Sequence, residues 1–337
     1  VPENSYGAEI TFFNSKIREC RSYFHSSYRL GMSIFENDAK SSTTTSTFGV
    51  SKRESHNSDP FYKRFPPLQQ DKRTEPSTPV TTDQLYVGDS SNMGEINANS
   101  TALVVTSPPY FVGKDYEVDI EKEGIPASYI EYLQMLRSVF TECWRILEPG
   151  GRIAINVANL GRKPYRSLSA DITRILQEDI GFLLRGEIIW VKAEGASGSC
   201  AWGSFQSASN PVLRDVTERV IIASKLRFDR SLTKKQRASR GLPHVDSIQK
   251  EDFLAWTIDT WRFRPESAKK IGHPAPFPLE LPKRLIQLYS YEGDLIVDPF
   301  CGSGTTAVAA KSANRHYVGY DLNPEYISLA EKRLQDN

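Results

Sequence analysis

Ser107, Pro108, Pro109 and Tyr110 follow the apolar run 101–106 and bring a hydroxyl, a free main-chain carbonyl and a flat ring to one point. Hydrogen-bond acceptors beside an aromatic face suit a flat heterocycle held by its amino group. Taken alone, the four residues read more simply as a strand running into a Pro-rich turn. A second group begins 188 residues after Tyr110: Asp298, Pro299, Phe300, Cys301, Gly302, Ser303, Gly304, Thr305 and Thr306. Here an apolar strand ends in an acid, and a Gly-rich turn leads into a helix pattern over 307–311. Glycines without Cβ permit a tight turn and close approach of a ligand to the backbone. A helix N-terminus offers N–H groups to a carboxylate. Another strand, 316–321, ends at Asp321, 23 residues after Asp298. That is near the spacing of a ribose-binding acid in nucleotide-binding βαβ units.

Two other nucleotide sites fit less well. A phosphate-cradling P-loop needs Gly-Lys-Ser/Thr, and Gly304 is followed by Thr305 without a lysine. A dinucleotide fingerprint carries a third glycine where this chain has Ala307, which disfavours NAD without excluding it. The cysteines Cys20, Cys143, Cys200 and Cys301 are scattered and form no Cys-x-x-Cys pair. Neither a zinc site nor a disulfide framework is expected, and no metal ligand is assigned.

The elements that must position these groups alternate along the chain. The run 101–106 is apolar and β-branched, as in a buried strand, and neither following proline donates to a ladder. Residues 127–146 have an amphipathic helix pattern, closed by a turn over 147–151 (Leu-Glu-Pro-Gly-Gly). A strand over 152–157, a helix over 167–178 and a strand over 186–191 follow. Near the end come the strands 294–298 and 316–321 and a helix over 325–334, opened by Asn323-Pro324. Such alternation implies an α/β fold whose largely parallel, doubly wound sheet carries helices on both faces. Ligands bind such sheets at the carboxyl ends of the strands.

Residues 193–266 interrupt the alternation with a Gly/Ser-rich stretch (195–209), a basic run and the aromatics Trp256, Trp261 and Phe263. Between Lys225 and Lys250 stand eight Lys/Arg against two Asp, in a chain whose net charge is only +1. That local excess is either a solvated loop or a phosphate-contacting surface, with Arg230, Lys234, Lys235, Arg237 and Arg240 as its candidates. Trp190 and Lys192 are candidates for lining a target pocket. Residues 1–82 differ in character: 8–35 read as a helix or two, and the Ser/Thr- and Pro-rich 36–82 as a linker. No apolar run approaches a membrane span and no secretory signal is visible, so a cytoplasmic protein is expected.

These motifs resemble the prokaryotic amino-group DNA methyltransferases that use S-adenosylmethionine. The cofactor motif of that family is similar to Asp298–Gly304, and its catalytic motif to Ser107–Tyr110. The catalytic motif comes first, the circularly permuted order of the β group. Tyr86–Asp89, His273–Phe277 and the stretch 201–215 also look like members of this family, so the resemblance covers about residues 83–335. It implies a Rossmann-like methyltransferase fold: a catalytic half over 83–192, an inserted target-recognition region over 193–266 and a cofactor half over 267–337, behind the extension 1–82. It further implies that Asp89, Phe277, Asp298, Pro299, Phe300, Gly302, Ser303, Gly304, Thr305, Thr306 and Asp321 surround S-adenosylmethionine. Ser107, Pro108, Pro109 and Tyr110 would receive the target.

The implied reaction is attack by an exocyclic amine on the methyl of a sulfonium. The amine is a poor nucleophile because its lone pair is delocalised into the ring. Accepting hydrogen bonds from both its N–H groups draws it towards tetrahedral geometry. The target must first flip out of the duplex, at a cost of a few kcal/mol. No strong general base stands in the motif. Carbon-5 methylation is disfavoured, because it needs a cysteine after a proline, and Glu19, Glu142, Ser199 and Phe300 precede the four cysteines. In the family, Ser at the position of Ser107 usually accompanies cytosine N4, and Asp or Asn adenine N6. The expectation is therefore a cytosine-N4 enzyme of a restriction–modification system, acting on duplex DNA at the nucleoid beside a cognate endonuclease. Adenine N6, an RNA methyltransferase and a non-catalytic DNA-binding relative are the alternatives. Neither the recognition sequence nor the oligomeric state is legible; a monomer is compatible.

Overall fold

The computed structural model of the chain describes residues 75–110, 128–159, 165–192, 203–213, 215–265 and 277–336. The helices expected over 8–35, the segment around His273, and Ala201, Trp202 and Arg214 lie outside them.

An eight-stranded sheet forms the frame. In chain order its strands are β1 (Gln84–Val87), β2 (Thr101–Thr106), β3 (Leu147–Val157), β4 (Leu183–Val191), β5 (Thr217–Ser224), β6 (Thr260–Arg262), β7 (Leu295–Asp298) and β8 (His316–Asp321). Across the sheet they stand in the order β1-β8-β7-β2-β3-β5-β4-β6. Every pairing is parallel except those of β5, which runs antiparallel to both β3 and β4. Each residue of β2 is buried, as its apolar, β-branched sequence requires of a central strand.

Side-chain alternation along the strands sends residues into two cores. Val104, Ile153, Ile155, Ile221 and Val297 pack on one face, under helix α1 (Tyr129–Ile146) and helix α2 (Leu168–Arg174). Leu103, Val105, Ala154, Val220, Ile222 and Ile296 pack on the other, with helix α5 (Glu280–Tyr289) and helix α6 (Thr305–Ser312). Helix α1 is started by Ser128, whose side chain accepts from Glu131 N, and buries Tyr132, Leu136, Val139, Phe140 and Cys143 at helical spacing. Helix α7 (Pro324–Gln335) closes the chain behind an Asn323 cap, with Pro324 in its first turn.

Three sequence expectations need correction. Residues 147–151 do not leave the sheet as a turn: β3 begins at Leu147, and the register with β2 jumps from Thr101↔Leu147 to Leu103↔Arg152. The Pro-Gly-Gly segment is absorbed as a bulge within a continuing strand. Gly150 sits there at φ +81°, where a Cβ would stand 1.9 Å from the Asp229 carbonyl oxygen. Second, residues 193–266 are not one insertion, because β5 and β6 within them are strands of the main sheet. Third, the end of the supposed linker is held in place. Ser77 N donates to Asn99 O (2.9 Å), Thr81 Oγ1 to Glu95 O (2.9 Å), and Glu75 pairs with Arg240 (2.6 Å).

The basic segment also differs from expectation. Arg230 and Arg237 are not free for phosphates, since their side chains are only 7% and 2% exposed. Both reach Glu148, in the β3 bulge, and Asp294, just before β7; Arg230 Nη1 lies 2.9 Å from Asp294 and Arg237 Nη1 3.1 Å from Glu148. Tyr291 lies under both guanidinium groups. Lys234, Lys235 and Arg240 are exposed around the short helix α3 (Lys234–Ser239), but Arg237 anchors that helix at the amino ends of β3 and β7, away from the carboxyl ends where ligands are expected, and Lys234 is paired to Asp246 and Arg240 to Glu75.

Removing one member of such a buried cluster leaves its partners charged and uncompensated. Arg237→Ala is expected to lower the unfolding free energy by about 3–5 kcal/mol, measured by urea titration. A loss below about 1 kcal/mol, as for a surface pair, would contradict the structural role.

Candidate active site

Because β1, β8, β7, β2 and β3 are parallel neighbours, their carboxyl ends form one edge. Along it stand Asp89 after β1, Asp321 at the end of β8, the 299–304 turn after β7, and Ser107 after β2. The order of motifs in the chain is scrambled, and the sheet restores their adjacency.

Asp298 binds this edge together. Its Oδ1 accepts from Thr106 Oγ1 (2.7 Å) and Phe300 N (3.1 Å), and its Oδ2 accepts from Thr306 Oγ1 (2.7 Å). Thr106 immediately precedes Ser107, and Thr306 lies in the first turn of α6. The residue is 2% exposed, so the expectation that Asp298 itself touches a ligand is corrected: it shapes the turn. Burial raises its carboxyl to about 6, against the hydrogen bonds from Thr306 and Thr106 that favour the charged form.

The glycine turn is shaped from several sides. Gly302 N donates to Asp321 Oδ2 (2.9 Å), Cys301 N to Tyr320 O (2.9 Å), and Arg333 of α7 holds Ser303 and Thr305. Gly304 has φ +74°, and a Cβ there would lie 2.6 Å from the Ala330 Cβ of α7. Its smallness serves the packing of α7 rather than a ligand. Ser303, Thr305 and Thr306 are likewise buried. No side chain caps the N-terminus of α6, and that end of a helix suits a carboxylate. Asp321 stays half-buried at the rim, its Oδ1 accepting from Asn323 N (2.9 Å). Phe300 is half-buried on the α1 core and Phe277 on the opposite one, while Pro299 is buried. Asp89 is exposed and folds back on Ser91, accepting from its N (2.8 Å) and Oγ (2.7 Å). An uncapped helix start and a carboxylate on one edge are groups that could hold the two ends of S-adenosylmethionine.

The second half of the site surrounds Ser107. Its Oγ donates to Asn156 O (3.1 Å) at the end of β3, which turns its lone pairs outward as acceptors. Tyr110 Oη lies 3.0 Å from Ser107 Oγ and 3.1 Å from Glu218 Oε2. Asn156 Nδ2 donates to the same Glu218 oxygen (2.5 Å), and Lys192 Nζ to Glu218 Oε1 (2.7 Å). Burial, with the Glu218 carboxylate alongside, pushes the Tyr110 phenol well above its ordinary value. Tyr132 of α1 donates to Pro109 O (2.8 Å) and fixes the proline loop from below. Trp190 turns its indole N–H to Phe263 O (2.9 Å) and stacks on that ring, a packing role beneath Lys192.

Sequence reasoning missed Asn156, Glu218, Tyr132 and Arg333. Glu218 had a signal: it stands at the head of the run Val220–Ser224, which reads as a buried strand once separated from the polar residues around it.

Comparison with known proteins adds the following. The family model described as DNA methylase, of the N6 and N4 enzymes, matches residues 101–332. Type II methyltransferase M.Cfr9I of Citrobacter freundii is 29% identical over 309 residues, covering 82% of this chain and 96% of its own. Type II methyltransferase M.MjaI of Methanocaldococcus jannaschii is 30% identical over 288 residues, 76% of this chain and 92% of its own. Among solved structures, the putative DNA modification methylase TTHA0409 of Thermus thermophilus, complexed with S-adenosyl-L-methionine, has a TM-score of 0.57 at 30% identity. It covers 75% of this chain and 93% of its own. PvuII DNA methyltransferase (cytosine-N4-specific) shares the fold, with a TM-score of 0.57 at 21% identity over 79% of this chain and 90% of its own.

The raised value of Asp298 has a consequence for stability. An acid favoured in its protonated form by the fold stabilises it fully below pH about 3.8, and that effect is lost as pH rises through about 6. Asp298→Asn carries no such dependence. Between about pH 4 and pH 7 the parent chain is expected to lose about 2 kcal/mol relative to the variant in urea unfolding. Parallel pH curves for the two proteins would contradict the burial argument.

Proposed function

The chain belongs to the N6/N4 DNA methylase family, and on that premise we propose that it methylates the exocyclic N4 of a cytosine flipped out of duplex DNA. S-adenosylmethionine is its methyl donor, and it serves as the modification enzyme of a type II restriction–modification system, beside a cognate endonuclease. Such work lies in the cytoplasm, at the nucleoid. The observation that carries the reading is the adjacency of Ser107, its proton already turned to Asn156 O, to the Asp298–Thr306 turn through the Thr106 hydroxyl. The S-adenosyl-L-methionine complex of the Thermus protein supports the cofactor, and the type II names of the relatives support the biological setting.

The 299–304 turn and the start of α6 hold the amino-acid end of the cofactor, and Asp321 takes the ribose hydroxyls. Asp89, Phe277 and Phe300 border it. When bound, S-adenosylmethionine supplies an electrophilic methyl. The chain's own part is positioning, which removes much of the barrier by holding amine and methyl in line. Ser107 Oγ and the Pro108 carbonyl accept from the amino group, and Tyr110 faces the base.

Duplex DNA incubated with methyl-labelled S-adenosylmethionine and digested to nucleosides is expected to yield N4-methylcytosine. Recovery of N6-methyladenine would move the target to adenine, and absence of label would sink the reading. Ser107→Ala is expected to cut transfer by about 10²-fold or more while cofactor affinity holds within about twofold.

A further inference from the structure

Methylation of an amine leaves one proton too many on the nitrogen, and Ser107 to Tyr110 hold no group that ionises to accept it. The structure supplies a route. From Ser107 Oγ it is 3.0 Å to Tyr110 Oη, with either atom able to donate, and from Tyr110 Oη 3.1 Å to Glu218 Oε2. Two hydroxyls in series therefore join the methyl-accepting position to a carboxylate. Glu218 is only 9% exposed, yet it is ion-paired on its other oxygen by Lys192, whose side chain is 27% exposed. Lys192 thus links the buried carboxylate to the solvent-facing side of the site.

Resting on the function proposed above, we propose that Glu218 is the proton acceptor of the methyl-transfer reaction, reached through the hydroxyls of Ser107 and Tyr110. As the amine nitrogen bonds to the methyl carbon, the carbon–sulfur bond breaks and sulfur keeps its electron pair as a thioether. The nitrogen then carries the positive charge. Its proton passes to Ser107 Oγ, the Ser107 hydroxyl turns from Asn156 O to give its own proton to Tyr110 Oη, and the Tyr110 proton passes to Glu218 Oε2. The products are a neutral methylamino base and a neutral carboxylic acid, which re-ionises beside Lys192. The transfer runs downhill, because a protonated exocyclic amine has lost its delocalisation into the ring and is the stronger acid.

Asn156 belongs to the same device. Its Nδ2 donates to Glu218 Oε2 (2.5 Å) and to Tyr110 Oη (3.1 Å), while its buried Oδ1 has no partner. An unmatched buried acceptor is destabilising, and here it accompanies an amide whose two donated bonds hold Glu218 and Tyr110 together. Among the described residues, the titratable groups bonded to Glu218 are Tyr110 and Lys192. Arg219, next along β5, points to the other face of the sheet, where it pairs with Glu187.

Single-turnover methylation of duplex DNA by the full chain, followed from acid to alkaline pH in H2O and D2O, tests this. The parent rate is expected to fall in acid and to carry a solvent isotope effect. Glu218→Gln and Tyr110→Phe are each expected to slow transfer by about 10²-fold, to flatten the acid limb, and to leave flipping of a 2-aminopurine target unchanged. Tyr110→Phe keeps the ring and removes only the relay oxygen, so it serves even where Glu218→Gln folds poorly. Added formate is expected to restore rate to Glu218→Ala. Wild-type rate and isotope effect in Tyr110→Phe would overturn the relay, as would slow variants that keep the parent pH profile and fail to flip the base. If the parent chain labels DNA and these variants match it, the relay alone fails. If the parent labels no DNA, the functional reading fails first and takes the relay with it.

Discussion

One buried carboxylate decides how the two halves of the site meet. Asp298 takes the hydroxyl of Thr106 on one oxygen and that of Thr306 on the other, so the strand that ends in the target motif and the helix that begins the cofactor turn are fastened to the same side chain. Burying a carboxylate is costly unless its oxygens are matched, and here three donors match them. The distance from Ser107 to the glycine turn is therefore not left to loop conformation. Two hydrogen bonds of 2.7 Å each, in the interior of the sheet edge, extend the pairing of β2 with β7 to it. A site assembled this way tolerates a permuted order of motifs, because neighbouring strands rather than neighbouring residues bring the parts together.

Around that fastening, charge is used in two ways. Next to Tyr110, Glu218 is ion-paired at one oxygen and hydrogen-bonded at the other, a carboxylate with a defined environment. Away from it, Glu148 and Asp294 draw Arg230 and Arg237 out of solvent and pin the segment after β5 to the β3 bulge and the approach to β7. A local charge excess in a sequence can thus be drawn into the fold, and burial rather than composition reveals it.

What the sequence made legible were the features with local causes. β2, β7 and β8 are apolar runs cut off by proline, glycine or an acid, and α7 is opened by Asn323-Pro324. The carboxyl-edge placement of Ser107 and Asp321 followed from those runs alone. The hidden features depend on partners far along the chain. Arg237 meets residues 57 and 89 positions away, Glu218 meets Tyr110 at 108, and no local pattern announces such pairs. The Pro-Gly-Gly of the β3 bulge carries true turn chemistry, yet the ladder on either side outweighs it. β5 was hidden for another reason: an antiparallel strand inside an otherwise parallel sheet sits where alternation of strand and helix gives no cue, among polar residues that resemble a loop.

If Asp298 couples the halves, damage on the target strand must be felt by the cofactor. Thr106 is buried just before the proline motif, and its hydroxyl donates to Asp298 at the start of the cofactor turn. Calorimetric titration of S-adenosylmethionine into Thr106→Val is therefore the direct measurement. Leaving Asp298 Oδ1 short of a donor is predicted to weaken binding by about 5- to 100-fold, corresponding to about 1–3 kcal/mol. Unchanged cofactor affinity in a folded Thr106→Val chain would contradict the coupling.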